Sequence, residues 1–150
     1  MASGEPLLSP AMTNRTSEKA IADQLKGVPL FSQTSTKQRR SLAKLGKSLT
    51  WKEGSTPITQ GSKGAAFFLV LEGSVEVSRD GQRVATLGTG DFVGEIAMLK
   101  NQPRNASVTA LADTSVFAFG RPALSAALKA EPAMAIPLLQ AMADRSSALN

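Results

Sequence analysis

The 150 residues include no cysteine and no histidine. Without cysteine the chain can form neither disulfides nor thiolate metal sites. Without histidine it lacks both the commonest zinc ligand and the commonest general base. Carboxylates alone remain as metal ligands, and the 12 Asp and Glu residues form no dense cluster. No catalytic and no metal-ligating residue is therefore assigned. No segment approaches the ~20 consecutive apolar residues that a membrane span needs. Residues 1–16, with Pro6, Pro10 and small polar residues, lack the charged start and apolar run of a secretory signal. They read as a flexible tail, and the default location is the cytoplasm, with no membrane partner.

What is present is ordinary for one globular domain: 42% hydrophobic and 19% charged residues, enough for a single core. The net charge of +5 invites a nucleic-acid reading, but its distribution weakens that reading. Residues 1–50 carry eight Lys and Arg against three Asp and Glu, and the remaining hundred sum to zero. The excess centres on Lys37-Gln38-Arg39-Arg40 and continues through Lys44 and Lys47. On a helix these charges lie mostly on a solvated face. No aromatic residues interleave with them, as a platform for single-stranded nucleic acid would need.

Residues 16–26 place Ala20, Ile21 and Leu25 at helical spacing, continued by Val28, with Thr16 or Ser17 as N-cap and Gly27 as the stop. Ser35 or Thr36 then caps a second helix, in which Leu42 and Leu45 face inward and Gly46 ends the run. From Leu49 to Phe119 the pattern changes to short apolar runs punctuated by glycine. Strands are expected at 67–71, 75–77, 84–87, 108–111 and 116–119. Val75 and Val77 alternate with Glu76 and Ser78, as in a half-buried strand. Asp80-Gly81 between two such runs signals a tight hairpin, because that turn needs positive φ. Many short strands with glycine turns argue for a sandwich or barrel. After Gly120, Pro122 suits a first helical turn, and 123–130 is rich in Ala and Leu. Pro132 breaks that helix and opens another, with Pro137 in its first turn or kinking it.

The stretch that carries chemistry runs Gly90-Asp91-Phe92-Val93-Gly94-Glu95-Ile96-Ala97-Met98-Leu99, then Lys100–Gln102, then Pro103-Arg104-Asn105-Ala106-Ser107-Val108. It reads as a strand end, a glycine turn, one short helical turn, a loop and a new strand. Backbone N–H groups of residues 96–98 would be orphan donors, a natural cradle for an anion. Gly94 lets the chain approach a ligand with no Cβ in the way. Arg104, nine positions after Glu95, can grip two oxygens of one phosphate. A nearby carboxylate would orient that arginine or accept a proton from a sugar hydroxyl. The parts describe a receptor for a phosphate beside a diol or single ribose hydroxyl. The same residues also allow a surface ion pair between Glu95 and Arg104, worth little.

Residues 90–108 resemble the phosphate-binding cassette of cyclic-nucleotide-binding domains of the catabolite activator and protein kinase A regulatory type. There, a Phe-Gly-Glu-like segment precedes Pro-Arg-Ala-Ala-Thr/Ser-Val. The resemblance covers roughly 17–150: Pro29-Leu30-Phe31, Gln60-Gly61 and Leu71-Glu72-Gly73-Ser74-Val75 match upstream, and Pro132, Leu138-Leu139 and Arg145 match downstream. It implies a mainly β fold with α flanks. This is an eight-stranded antiparallel β-roll, jelly-roll-like, with a helical flank over 17–47, the roll over 49–119 and C-terminal helices over 121–149. It further implies that Glu95 accepts from the ribose 2′-hydroxyl with Gly94 beside it, and that Arg104 pairs with the cyclic phosphate. Backbone N–H groups of Ala97 and Ala106 complete the cradle, and Ile96 and Asn105 complete the ligand-binding set. Val93 and Met98 are assigned to the core.

The chain departs from the family pattern in three places. Val93 precedes Gly-Glu where a small residue is usual. Asn105 follows the arginine where Ala, Ser or Thr is usual. The last helix ends where relatives place a base-capping residue, leaving Met142, Leu149 or Asn150 for that task. The implied ligand is cAMP, with cGMP the alternative, and no other cofactor. The implied role is a stand-alone sensor, not an enzyme, whose output is a protein effector reached through the flanking helices. A helix-turn-helix does not fit in the residues after the roll, so no DNA partner is expected. A degenerate roll serving as an interaction scaffold is the alternative, and intact Glu95 and Arg104 speak against it. A metal-dependent cupin on a similar roll is disfavoured by the missing histidines.

Overall fold

The computed structural model describes residues 18–27, 31 and 34–149, with the side chains of 141 and 145–149 left aside. The tail at 1–16, the caps Thr16 and Ser17, Val28, Pro29-Leu30, the side chains of Arg145 and of the base-capping candidate Leu149, and the candidate Asn150 lie outside what is described. Glycine-punctuated apolar runs pair into two antiparallel sheets. The strands are β1 (Lys47–Trp51), β2 (Phe67–Glu72), β3 (Ser74–Arg79), β4 (Gln82–Gly88), β5 (Phe92–Val93), β6 (Ser107–Ala110) and β7 (Thr114–Phe119). One sheet runs β1-β7-β2-β5 and the other β4-β3-β6. Seven strands therefore stand among the described residues where eight were expected. The chain between β1 and β2 contributes a single bridge, Ile58 to Val108, rather than a full strand. The turn Asp80-Gly81 has φ of 55° and 79° and joins Arg79 to Gln82 across the β3–β4 hairpin, as its sequence demands.

Helices close one side: α1 (Glu18–Lys26) and α2 (Thr36–Leu45) before the roll, then α3 (Glu95–Lys100) within it. After the roll come α4 (Arg121–Ala130), a 3-10 turn (Pro132–Met134) and α5 (Ala135–Leu149). Ser35 caps α2 through a capping box with Gln38. Pro122 lies in the first turn of α4 and Pro137 in that of α5, where a missing N–H costs nothing.

The burial of α2 corrects the sequence reading twice. Leu45 is 40% exposed, and the buried face is Arg39, Leu42 and Ala43. Arg39 is not on the solvated face, because its guanidinium folds over the preceding loop, donating to the Thr34 carbonyl and the Thr36 hydroxyl. Lys37, Arg40, Lys44 and Lys47 are exposed.

The four-stranded sheet is apolar on both faces, so β2 is buried at five successive residues instead of alternating. Phe67, Leu69, Leu71, Phe92, Phe117 and Phe119 pack with α1, α2, α4 and α5. Phe68, Val70, Val93, Val116 and Ala118 face the interior of the roll, together with Trp51, Val75 and Val108. The residues after Phe67, Leu69, Phe92 and Phe117 thus look into the roll.

Candidate functional site

The site begins at a turn that its own residues fix. Asp91 accepts the Gly88 N–H through its carboxylate at 2.9 Å, and Gly90 supplies φ of 93°. The following β5 sends Phe92 to the helical side and Val93 into the roll. Gly94 then adopts φ of 91° as the N-cap of α3, a region L-residues avoid. A Cβ there would stand 2.5 Å from the Ala66 carbonyl oxygen and 2.7 Å from Arg104 Nη1. The space a side chain would need is already taken by the arginine. Gly94→Ala should therefore lower stability by about 1–3 kcal/mol and displace Arg104. Urea denaturation checks the first and nucleotide titration the second, and an unchanged variant on both counts would contradict this geometry.

In α3 the Met98 N–H already donates to the Gly94 carbonyl at 3.1 Å. The orphan donors are therefore those of residues 95–97, one position earlier than the sequence reading placed them. Asn101 closes the helix at φ of 53°, donating its N–H to Ala97. The chain then returns towards the roll, and Arg104 enters it.

Arg104 is 3% exposed and lies inside the roll rather than on its surface. Its Nη1 donates to the Gly94 carbonyl at 3.4 Å, and its guanidinium carbon lies 5.7 Å from the centre of the Phe68 ring. Its main chain is gripped on both sides: Arg104 N–H donates to Ser62 at 2.9 Å, and its carbonyl accepts from Gly61 at 2.8 Å. Beside it lies a cavity of about 50 Å³, lined by Gly94, Glu95, Arg104, Asn105 and Ala106, with Arg79 at its edge. Ile58, Val77, Val93 and Val108 form its apolar wall. The volume suits a few waters or one tetrahedral anion. Two guanidinium groups against one carboxylate favour an anion there.

Five of the seven site residues read from the sequence thus converge on one cavity. Ile96 and Ala97 are not among the residues that line it: Ile96 is 36% exposed and Ala97 is on the buried side of α3. Val93 lines the wall, while Met98 belongs to the helix-facing core. Met142 packs part-buried against that same core. Arg79 was missed. Its Nε donates to the Asn105 carbonyl at 3.1 Å because β3 pairs with β6, Ser78 lying opposite Ser107. Only that long-range register brings the two together, and no local signal encodes it. Among the described residues no three Asp and Glu side chains gather to hold a metal, and no helix is long and apolar enough to cross a membrane.

The two-sheet roll thus carries a buried arginine beside a glycine–glutamate turn. The cyclic nucleotide-binding domain family matches residues 48–131, and the chain belongs to that family. It is 40% identical over 99 residues to the cAMP-dependent protein kinase regulatory subunit of Yarrowia lipolytica, covering 65% of this chain and 26% of that one. To the cGMP-dependent protein kinase of Plasmodium berghei it is 33% identical over 84 residues, covering 56% and 10%. Among solved structures it resembles PKAR CBD2 with Sp-2Cl-cAMPS bound, at TM-score 0.76 and 28% identity, covering 89% of each chain. The chain spans about a quarter of the length of curated relatives such as these regulatory subunits.

Proposed function

We propose that this domain, over residues 17–150, binds a cyclic purine mononucleotide, cAMP in preference to cGMP, and serves as a sensor module without catalysis of its own. The observation that carries the reading is Arg104: an arginine 3% exposed, beside Gly94 and Glu95, on a cavity the size of one phosphate. In this reading Arg104 and the Ala106 N–H take the exocyclic phosphate oxygens, and Ala97 contributes its N–H from the first turn of α3. Glu95 accepts from the ribose 2′-hydroxyl. The base lies across the mouth, past Asn105. Preference for cAMP is supported by the 40% and 36% identity to cAMP-dependent protein kinase regulatory subunits, above the 33% to a cGMP-dependent protein kinase.

Output follows from packing. Phe92 and Met98 flank the glycine turn and lie in the same core as Leu25, Leu42, Leu124 and Leu138 of the four outer helices. Arg121, opening α4, donates to the Leu99 carbonyl near the end of α3. A ligand that draws α3 inward therefore pulls on the helical layer, and a protein effector reads the new arrangement. The shift is limited by the ligand's differential affinity for the two states.

Isothermal titration with cAMP and cGMP tests the binding. The expected result is saturable binding of both, tighter for cAMP; silence from both would remove the reading. Hydrogen exchange with and without cAMP tests the output. Protection should rise over 94–106 and also change within 121–149. A response confined to 94–106 would make the domain a passive binder.

A further inference from the structure

The main chain at Arg104 is held by a ring of hydrogen bonds whose far side consists of two residues that do not line the cavity. Gln60 Nε2 donates to Asp80 Oδ1 at 2.9 Å, and the Asp80 N–H donates back to Gln60 Oε1 at 2.8 Å. Next along the chain from Asp80, Arg79 Nε donates to the Asn105 carbonyl at 3.1 Å. Next from Asn105, the Arg104 carbonyl accepts from Gly61 at 2.8 Å, and Gly61 adjoins Gln60. The circuit is closed. A further rung joins its sides, the Gln60 N–H donating to Ser107 Oγ at 2.9 Å.

We infer that Gln60 and Asp80 are positioning residues for Arg104: their reciprocal amide–aspartate pair clamps the β3–β4 turn to the loop that grips the arginine's main chain. The inference rests on the proposed nucleotide binding for its consequence, but not for its geometry. The loop around Gln60 forms no full strand, so its backbone bonds to residues 104–108 are few and need support from outside. Asp80 supplies that support from a conformation, φ of 55°, which Asp and Asn tolerate better than most side chains. Both residues are exposed, so the clamp adds little to global stability. Its effect is order. A guanidinium aimed at a phosphate-sized cavity loses affinity when its main chain wanders, because the lost freedom must then be supplied on binding.

The test uses Gln60→Ala, Asp80→Gly and Asp80→Asn in the full chain. Glycine keeps the positive φ and the N–H but removes the acceptor, whereas asparagine keeps both. In the ligand-free protein, amide exchange at Arg104 and Gly61 should quicken roughly tenfold in Gln60→Ala and Asp80→Gly and stay within twofold of wild type in Asp80→Asn. Titration with cAMP should show roughly 3- to 10-fold weaker binding for the first two, near-wild-type binding for the third, and no further loss in the double variant. Ligand-free melting temperatures should hardly move. Unchanged exchange at Arg104 overturns the inference, as does faster exchange with unaltered affinity. Should the wild type bind neither cAMP nor cGMP, the nucleotide reading falls, and the exchange measurement still decides the clamp.

Discussion

Replacing Arg104 by alanine should abolish useful nucleotide binding while leaving the domain folded. The arginine is the one buried cation of the cavity, and its fork matches two oxygens of a phosphate monoanion. Truncating one partner of a desolvated charge pair costs ~2–5 kcal/mol, or roughly 30- to several-thousand-fold in affinity. The fold should survive because Arg104 is held chiefly through its main chain, which alanine keeps. Among its side-chain contacts are a long bond to Gly94 and the face of Phe68. Melting without ligand should fall by no more than a few degrees, and added cAMP should no longer raise it. Arg104→Lys, which keeps the charge and loses the fork, should fall between the two. An alanine variant that binds within threefold of wild type would take Arg104 out of the site.

The second large effect concerns stability. Phe67 is fully buried, with ring centres 5.1 Å from Phe92 and 4.7 Å from Phe119. It stands on β2, on the face where the sheet meets the helices. Phe67→Ala should cost about 3–5 kcal/mol, a large part of the 5–15 kcal/mol that holds a domain together. Denaturant unfolding monitored at Trp51, on the other face of the same sheet, measures it. A loss under about 1 kcal/mol would mean that the neighbouring rings collapse into the gap, and that the helical layer is more plastic than its packing suggests.

Much of the architecture was legible because local chemistry and tertiary demand agreed. Asp80-Gly81 has one turn open to it, and Pro122 and Pro137 each fell in a first helical turn. In the cassette, Gly94, Glu95, Arg104, Asn105 and Ala106 converge because a single strand–turn–helix–loop unit carries all five. The misses have physical causes. Over ten residues of α2, two apolar stripes were available, and the one chosen contains Arg39, because a guanidinium can bury itself against loop acceptors that no pattern announces. The resemblance implied eight strands without placing the eighth; the chain around Ile58 makes a single bridge to Val108 and also bonds to the main chain of Arg104 and the Ser107 hydroxyl. Arg79 was invisible for a different reason: strand register is a property of two segments thirty residues apart, not of either one.

The doubly buried sheet has a consequence for how such a domain can change over time. Positions 67, 69 and 71 of β2, with 117 and 119 of β7, answer only to the helices. Positions 68 and 70, with 116 and 118, answer only to the chamber that holds Arg104. A substitution on one parity is shielded from the opposite layer by the backbone of the sheet itself. The outer layer can thus be rewritten for a new listener while the receptor stays intact, and the receptor can be retuned while the listener still recognises its surface. Two independent histories are written in alternate letters of the same strands.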